Sequence, residues 1–539
     1  MDIAALLAGL PPRISDIPRR WAERAPHAPA LREGERVWTY GELAAAVDAT
    51  AQRLRELGVR PGDRLMVVAE NCVAQIALIF AAASMDAWAV NANSRLSARE
   101  IAQFREHSGA RRVIYCCGSA AGAATAASPE AAAHGERDGA QRESWLFGEW
   151  MIGPLNEAAQ PEPVAAGADF SARQPAALIY TTGTTGQSKG VMLSHRNLLF
   201  VAAVSSTLRG LTPADRAYGV LPISHVYGLA SVMLGTLYAG ACLHLQPRFN
   251  ADALLRALRE DQLTILQGVP AMYARLLEIL GQPGAGAGAD GAARRETLGA
   301  SLRFIYAGGS PLDPVLKRQA EALLGQPLHN GYGMTESSPT ISQTRLDAPR
   351  GDTSVGYAIP GVETRIVPAQ DATGELWVRG PNVMLGYYKE PSLTAAAIDA
   401  DGWLNTGDVA RQDADGALFI VGRSKELIIR SGFNVYPLEV ETVLNAHPAV
   451  AQSAVVGRTV AGGDEEVIAY VELDPRHAGQ PEVLEGELHA HLAAALAPYK
   501  CPAEIIPMPS LPAAATGKIL KSQLRTLAQQ AAQTKETKQ

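Results

Sequence analysis

Three stretches of this chain gather the residue types that hold a polyanion. The sharpest is Leu178-Ile-Tyr-Thr-Thr-Gly-Thr-Thr-Gly-Gln-Ser-Lys-Gly190, an apolar strand that runs into a nine-residue loop from Thr181 to Lys189. Glycines let the backbone approach a ligand and turn successive N–H groups inward as an anion nest. Four threonine hydroxyls add donors and Lys189 adds a point charge, the set a polyphosphate requires. It is not a Walker A loop, because Lys189 is followed by Gly190 and the glycine spacing differs. The bland alternative is a flexible surface turn. The second stretch, Asn330-Gly-Tyr-Gly-Met-Thr-Glu336, flanks an aromatic with glycines and follows it with a hydroxyl and a carboxylate. Those suit a stacked base, a phosphate and Mg²⁺. A Gly-rich turn before a Thr-capped helix would read the same way. The third joins Trp403-Leu-Asn-Thr-Gly-Asp408 to Gly422-Arg423 fifteen residues on. An Asp in a tight turn accepts two ribose hydroxyls; alone, Asp408 reads as an Asx-turn.

These stretches need a scaffold. Alternating helix-like and strand-like runs fill the first part: a strand at Trp38–Tyr40 before a helix with Thr39 and Glu42 as cap, strands at Arg64–Ala69 and Arg111–Cys116, and a buried helix at Cys72–Ala83. Strands are expected at Ala176–Tyr180 and Ala217–Leu221, and helices at Leu254–Gln262 and Met272–Leu280. The pattern fails from Gly118 to Ala166, which reads as surface connections around one or two weak elements. Gly281–Gly291 reads as a low-complexity loop. Past about residue 350, alternating runs at Gly361–Val367, Gly374–Arg379 and Gly416–Val421 point to antiparallel strands. A new α/β stretch follows, with helices at Pro437–Asn445 and Val483–Leu496 and strands at Val450–Gly457 and Val467–Leu473. Residues from Ala528 to Gln539 are expected to fray.

Composition narrows the partners. The 539 residues carry 48 Lys and Arg against 55 Asp and Glu, a net charge of −7. That argues against nucleic acid, which needs a basic face, and leaves any bound anion to local donors. Five cysteines, none in a CxxC pair, make neither a disulfide framework nor a zinc site. The apolar run Val73–Val90 is broken by Gln75 and Asp86, so no membrane span is expected. The N-terminus lacks the cationic lead-in of a signal peptide, and a cytoplasmic chain is expected.

Taken together and in order, TTGTTGQSKG, LPISHVYG, YAGGSPL, NGYGMTE, GWLNTGD, GRSKELI and ATGKILK resemble the adenylate-forming superfamily of acyl-CoA synthetases, firefly-type luciferases and adenylation domains. The likeness runs from about Trp38 to Arg525. It implies an α/β fold: a large N-terminal domain of two α/β subdomains plus a distorted β-barrel, and a small mobile α+β C-terminal domain. The expected divisions are residues 1–422, 423–528 and a frayed tail at 529–539. The implied reaction joins a carboxylic acid to ATP as an acyl-adenylate, with pyrophosphate released, and then to the thiol of coenzyme A, with AMP released. Both steps need charge stabilisation more than a protein nucleophile.

By the same resemblance, Thr181, Thr182, Gly183, Thr184, Thr185, Gly186 and Lys189 hold the β- and γ-phosphates. Gly309, Ser310 and Pro311 line the adenine, within a nucleotide site that also takes in Asn330, Gly331 and Gly333. Tyr332 stacks on the base, Thr335 touches the α-phosphate, and Glu336 is the Mg²⁺ ligand. Asp408 and Arg423 bind the ribose. Lys518 resembles the lysine that bridges carboxylate and α-phosphate during adenylation. His225 stands at a gate between acid pocket and thiol tunnel. Tyr227, Ser231, Gly308, Gly309, Gly333, Ser338 and Pro339 line the acid pocket with His225. Lys425 matches the hinge about which the small domain swings. Arg248 and Gly432 match coenzyme A contacts. Ile429 and Ser431 stand where plant 4-coumarate ligases carry lysines, and Arg430 between them is the substitute cation.

The acid stretch resembles 4-coumarate ligases and lacks the Phe-Asp start of amino-acid-activating domains. A hydrophobic aryl or fatty acid is therefore expected, acting with ATP, Mg²⁺ and coenzyme A in a homodimer or a monomer. One alternative is a stand-alone adenylation enzyme that loads a carrier protein; no fused carrier follows Arg525, which weighs mildly against it. Another is a binding protein with a dead site, which the presence of Lys189, Glu336 and Lys518 disfavours.

Overall fold

The structure is a computed structural model. It describes residues 1–118, 128–182, 188–281, 298–368, 373–430, 433–460, 465–474, 481–513 and 519–536. The chain packs into two compact units. One comprises Met1–Pro311, Arg318–Thr364 and Val378–Leu404, and the other Leu312–Lys317, Arg365–Trp377 and Asn405–Gln539.

The first unit is built on two large sheets. Among the described residues one has nine strands, in the order Tyr357–Ala358, Thr340–Gln343, Leu328–Gly333, Phe304–Ala307, Ile265–Gly268, Arg216–Gly219, Cys242–Leu245, Pro29–Glu33 and Arg36–Thr39. The run from Leu328–Gly333 to Pro29–Glu33 is parallel throughout. Its central strands, ILQG and FIYA, are buried at every position, as a sheet covered on both faces demands. Strand Arg216–Gly219 has its sequence successor on one side and Ile265–Gly268 on the other. The winding direction therefore reverses there, the place where open α/β sheets open a crevice at their carboxyl ends.

The second sheet orders eight strands as Gly386–Tyr387, Ser188–Ser194, Pro175–Thr182, Trp88–Asn93, Arg64–Ala69, Arg112–Cys116, Gly148–Ile152 and Gln141–Trp145. Helix Tyr40–Glu56 starts with the expected capping box, the Thr39 hydroxyl accepting from the Glu42 N–H and the Glu42 carboxylate accepting from the Thr39 N–H. Such a cap is worth about 1 kcal/mol. Helix Val73–Ser84 is apolar on all sides and accordingly buried from Val73 to Ala83. No helix of the described residues is long and apolar enough to cross a membrane.

One expectation differs from the structure here. Residues 118–166 are more than surface connections: they supply helix Pro129–Arg137 and the hairpin Gln141–Trp145/Gly148–Ile152, which closes one edge of the eight-stranded sheet. Alanine and glycine enrichment conceals this hairpin, whose anchor is the buried Trp150 stacked on Trp145. The expected loop Gly281–Gly291 lies outside the described residues beyond Gly281.

In the second unit, Leu404–Gln412 and Leu418–Arg423 pair antiparallel, in a four-stranded sheet with Thr373–Arg379 and Glu363–Pro368. This sheet occupies the place of the expected barrel. A three-stranded sheet, Val450–Thr459, Glu465–Leu473 and Glu504–Met508, accompanies helices Pro437–Asn445, Pro481–Ala495 and Lys521–Glu536. The last helix continues through the stretch expected to fray, because Leu524 and Ala528 are buried against Ala454, Val456 and Ile468.

Candidate active site

Strands Pro175–Thr182 and Ser188–Ser194 form a hairpin whose pairing continues to Thr181↔Lys189 and Thr182↔Ser188. The Thr/Gly loop is thus shorter than its composition suggests, since the ladder extends into it. Gly183, Thr184, Thr185 and Gly186 lie outside the described residues. On the other edge of Ser188–Ser194, the short strand Gly386–Tyr387 pairs with Val191 and Met192. This places the Tyr387 ring beneath Lys189, whose Nζ lies 5.0 Å from the ring centroid, a cation–π distance.

Tyr387 also reaches the second motif. Its hydroxyl donates to Glu336 Oε1 at 2.8 Å. Burial, and then the Glu336 charge, push the Tyr387 phenol far above its ordinary value, so it stays a donor. Glu336 sits in the buried turn Thr335–Ser337, which follows strand Leu328–Gly333. Two glycines of that motif are required by close approach. A Cβ at Gly331 would lie 1.8 Å from Tyr306 Oη, and one at Gly333 1.8 Å from the Pro339 carbonyl. Tyr332 between them pairs with Ser342 on the neighbouring strand. Asn330 is engaged internally: its amide donates to the Thr353 and Ser354 carbonyls, and its Oδ1 accepts from the Gly331 N–H.

Residues 381–388 tie these pieces together. The Met384 N–H donates to the Glu336 carbonyl, that of Leu385 to Met192 and that of Tyr388 to Gly190. Asn197, in the capping box that starts helix His195–Leu208, donates its side-chain amide to the Pro381 and Val383 carbonyls at 2.7 and 2.9 Å. Ser338 Oγ donates to the Asn382 carbonyl, and the Asn382 amide to that of Thr340.

The proposed acid-pocket residues meet at the carboxyl ends of the parallel strands. After Arg216–Gly219 the chain passes through His225, whose Nδ1 accepts from the Tyr227 N–H at 3.3 Å. It then enters a π-helix, Tyr227–Leu234, a form common at functional sites. Tyr227 and Ser231, four apart, are both buried. A Cβ on Gly308 would touch the rings of Tyr227 and Tyr306, and one on Gly309 would touch Tyr227 and Val269, so these small residues lie against the tyrosine. Ser231 Oγ pairs with Thr340 Oγ1 at 3.1 Å, next to Ser338 and Pro339. Gly309 has φ +81°, and Ser310 and Pro311 follow it at the end of strand Phe304–Ala307. Arg248 is bound by two carboxylates, Glu70 at 2.7 Å and Glu130 at 2.5 Å.

Within the second unit, Asp408 faces Arg423 across the antiparallel pair, Oδ1 to Nε 3.1 Å, with Asp408 buried and Arg423 exposed. Lys425 is exposed in the turn Ser424–Glu426. Arg430 donates to the Tyr499 and Cys501 carbonyls. Gly432 and Lys518 lie outside the described residues; Ala513 and Ile519 form an antiparallel bridge.

Sequence reasoning missed two residues. Tyr387 stands in Gly386-Tyr-Tyr-Lys-Glu390, outside every motif singled out, and the strand pairing brings it between Lys189 and Glu336. Arg209 ends an apolar helix, where a charge ordinarily signals solvent, yet it is 1% exposed.

Comparison with known proteins agrees with this layout. The model of the AMP-binding enzyme family matches residues 18–388, and that of the AMP-binding enzyme C-terminal domain residues 439–518. The chain is 31% identical to 4-coumarate–CoA ligase 2 of Oryza sativa subsp. japonica, over 94% of this chain and 90% of that protein. It is 33% identical to feruloyl-CoA synthase of an Amycolatopsis species, over 94% and 97%. Among solved structures, ATP-bound MatB from Rhodopseudomonas palustris superposes with a TM-score of 0.79 at 30% identity, over 95% of this chain and 98% of that one. With both family models matched in order, the chain belongs to the AMP-binding enzymes of the AMP-forming acyl-CoA synthetase superfamily.

Proposed function

We propose that this ligase activates a hydrophobic carboxylic acid, aryl or medium- to long-chain fatty, as its acyl-adenylate and transfers the acyl group to coenzyme A. The observation that carries the reading is the convergence of Lys189, Tyr387 and Glu336 beside the Thr181–Lys189 hairpin. A cation and a carboxylate are held there on one aromatic. Lys189 and the loop take the β- and γ-phosphates, Thr335 the α-phosphate, and Tyr332 with Gly309, Ser310 and Pro311 the adenine. Asp408 and Arg423 take the ribose. Glu336 suits Mg²⁺, which is commonly held by one or two carboxylates together with substrate phosphates. When bound, the ion neutralises charge on the phosphates.

The names of the rice and Amycolatopsis relatives support an aryl acid. Tyr227, Gly308 and Gly309 supply an aromatic wall with small neighbours, and His225 the gate. We place the boundary between the adenylating part and the swinging part at Gly422/Arg423, with Lys425 as pivot and Lys518 as the lysine of the adenylation step. Arg248, Arg430 and Gly432 serve coenzyme A; for Arg248 this means exchanging Glu70 or Glu130 for a phosphate.

Purified protein with ATP, Mg²⁺, coenzyme A and a panel of aryl and fatty acids should form thioesters and release AMP. If pyrophosphate appears while only a carrier protein is acylated, the reading is wrong in its acceptor. Lys518→Ala should abolish pyrophosphate exchange yet spare thioester formation from a preformed adenylate. Equal loss of both half-reactions would overturn the swinging-domain account.

A further inference from the structure

Behind the Tyr227 wall lies a charge that the adenylation chemistry does not use. Arg209 is 1% exposed, and its guanidinium lies 4.6 Å from the centroid of the Tyr306 ring, which itself meets Tyr227 edge-on. Its Nη1 donates to the Ser231 carbonyl at 3.2 Å and to Gln267 Oε1 at 2.5 Å. Among the described residues, Nε and Nη2 have no hydrogen-bond partner, and neither has Nε2 of the buried Gln267. Among the described residues no carboxylate pairs with Arg209. This is a buried guanidinium held by one carbonyl, one amide oxygen and a ring face but by no carboxylate of the described residues, and a buried cation lacking its counter-charge is costly in a core.

The unmet demand is specific. All three orphaned atoms are donors, so the missing partner is an acceptor. Nε and Nη2 form the side-on edge that grips a carboxylate through two parallel bonds. The chain uses that edge repeatedly: Arg13 on Asp86 at 2.7 and 3.1 Å, Arg53 on Glu143 at 3.2 and 2.8 Å, and Arg379 on Glu363 at 2.9 and 2.8 Å. Arg209, resting against the Tyr306 ring, presents the same edge with no carboxylate among the described residues to meet it. Its neighbours Ser231 and Tyr306 are in contact with the proposed acid pocket, through the Ser231 backbone and the Tyr306 ring that touches Gly308.

We infer that Arg209, assisted by Gln267, is a specificity-determining residue for the acid: it receives a second carboxylate at the far end of the substrate. The substrate class is then a dicarboxylic acid with an apolar body, of which one carboxyl is activated and the other is held. This rests on the acid–CoA ligase reading and narrows it. A site with orphaned buried donors rejects an analogue lacking the acceptor far more strongly than an apolar slot rejects a missing methylene.

The test pairs octanoate with octanedioate, decanoate with decanedioate, and cinnamate with 4-carboxycinnamate. Thioester formation is followed for each pair, together with calorimetric binding of each acid to the protein loaded with a non-hydrolysable ATP analogue. The diacid is expected to exceed its partner in kcat/KM by at least about tenfold, mainly through KM. Arg209→Met should collapse the diacid-to-monoacid ratio by a similar factor. Gln267→Glu, which supplies an internal carboxylate to the same guanidinium, should do so as well. Should Arg209→Met fail to fold, Gln267→Glu and Arg209→Lys carry the test. Monoacids used as well as diacids, or a ratio unmoved by these variants, overturn the subsite while the ligase reading stands. Arg209-dependent diacid binding with no thioester from any acid overturns the ligase reading and leaves the subsite standing.

Discussion

Two polar clusters of the first unit treat their charges in opposite ways. At the proposed nucleotide end, the described groups are already matched: Glu336 accepts from Tyr387, Lys189 rests on the Tyr387 ring, and the Asn330 side chain bonds to backbone. At the proposed acid end, Arg209 and Gln267 keep three donor atoms without partners. A ligand at the matched cluster meets groups held in place beforehand, which favours electrostatic preorganisation. A ligand at the unmatched cluster supplies what the protein lacks, which favours selectivity. One end is built to act on an invariant co-substrate, the other to choose among variable ones.

That contrast can be broken in stages. Glu336→Gln should have the largest effect, lowering adenylation by about 10²–10³-fold, as loss of a charge-stabilising group does, with a raised Mg²⁺ requirement. Pyrophosphate exchange at several Mg²⁺ concentrations reads both. Tyr387→Phe removes one hydrogen bond to a carboxylate, about 2 kcal/mol, so adenylation should fall roughly tenfold or somewhat more. A variant with full activity would mean that the Lys189–Tyr387–Glu336 pairing is incidental. Asn197→Ala leaves the Pro381 and Val383 carbonyls unpartnered and should cost about 1–3 kcal/mol in urea denaturation, more than a surface substitution does.

A last test, on stability rather than on activity, concerns a group with an unpartnered ring nitrogen among the described residues. His195 is fully buried, its Nδ1 accepts from the Ile14 N–H, and its Nε2 has no partner. Burial, with Arg13 nearby, brings its pKa from 6.5 down to about 3. Below about pH 6.5 the unfolded chain binds a proton that the folded chain refuses. Its contribution is complete above that pH and declines as pH falls towards about 3, by about 1.4 kcal/mol per pH unit. Unfolding midpoints of the parent and His195→Asn across this range should converge in acid. Parallel pH profiles would show that His195 is not the group responsible.

Much of this was legible in the chain. Arg64–Ala69 and Pro437–Asn445 occupy the spans their patterns predict, since apolar β-branched runs and a proline at a helix start leave little choice. The stretch proposed to hold phosphate stood out by its density of Thr and Gly. What the sequence did not reveal depends on tertiary contact. The Gln141–Ile152 hairpin is disguised by its polar edge strand. Tyr387 acquires a role only because its strand adds to the edge of Ser188–Ser194. Arg209 looks like a solvent-facing helix end until the π-helix and Tyr306 close over it.

The tether at residues 381–388 bears on time as well as position. The amides of Met384, Leu385 and Tyr388 are held by Glu336, Met192 and Gly190, carbonyls on two different motifs. With three such bonds within five residues, their deuterium uptake should follow a single cooperative opening. A nucleotide bound at either motif would then slow exchange at all three amides together, and so report occupancy of the site from a segment that itself carries only one of its side chains.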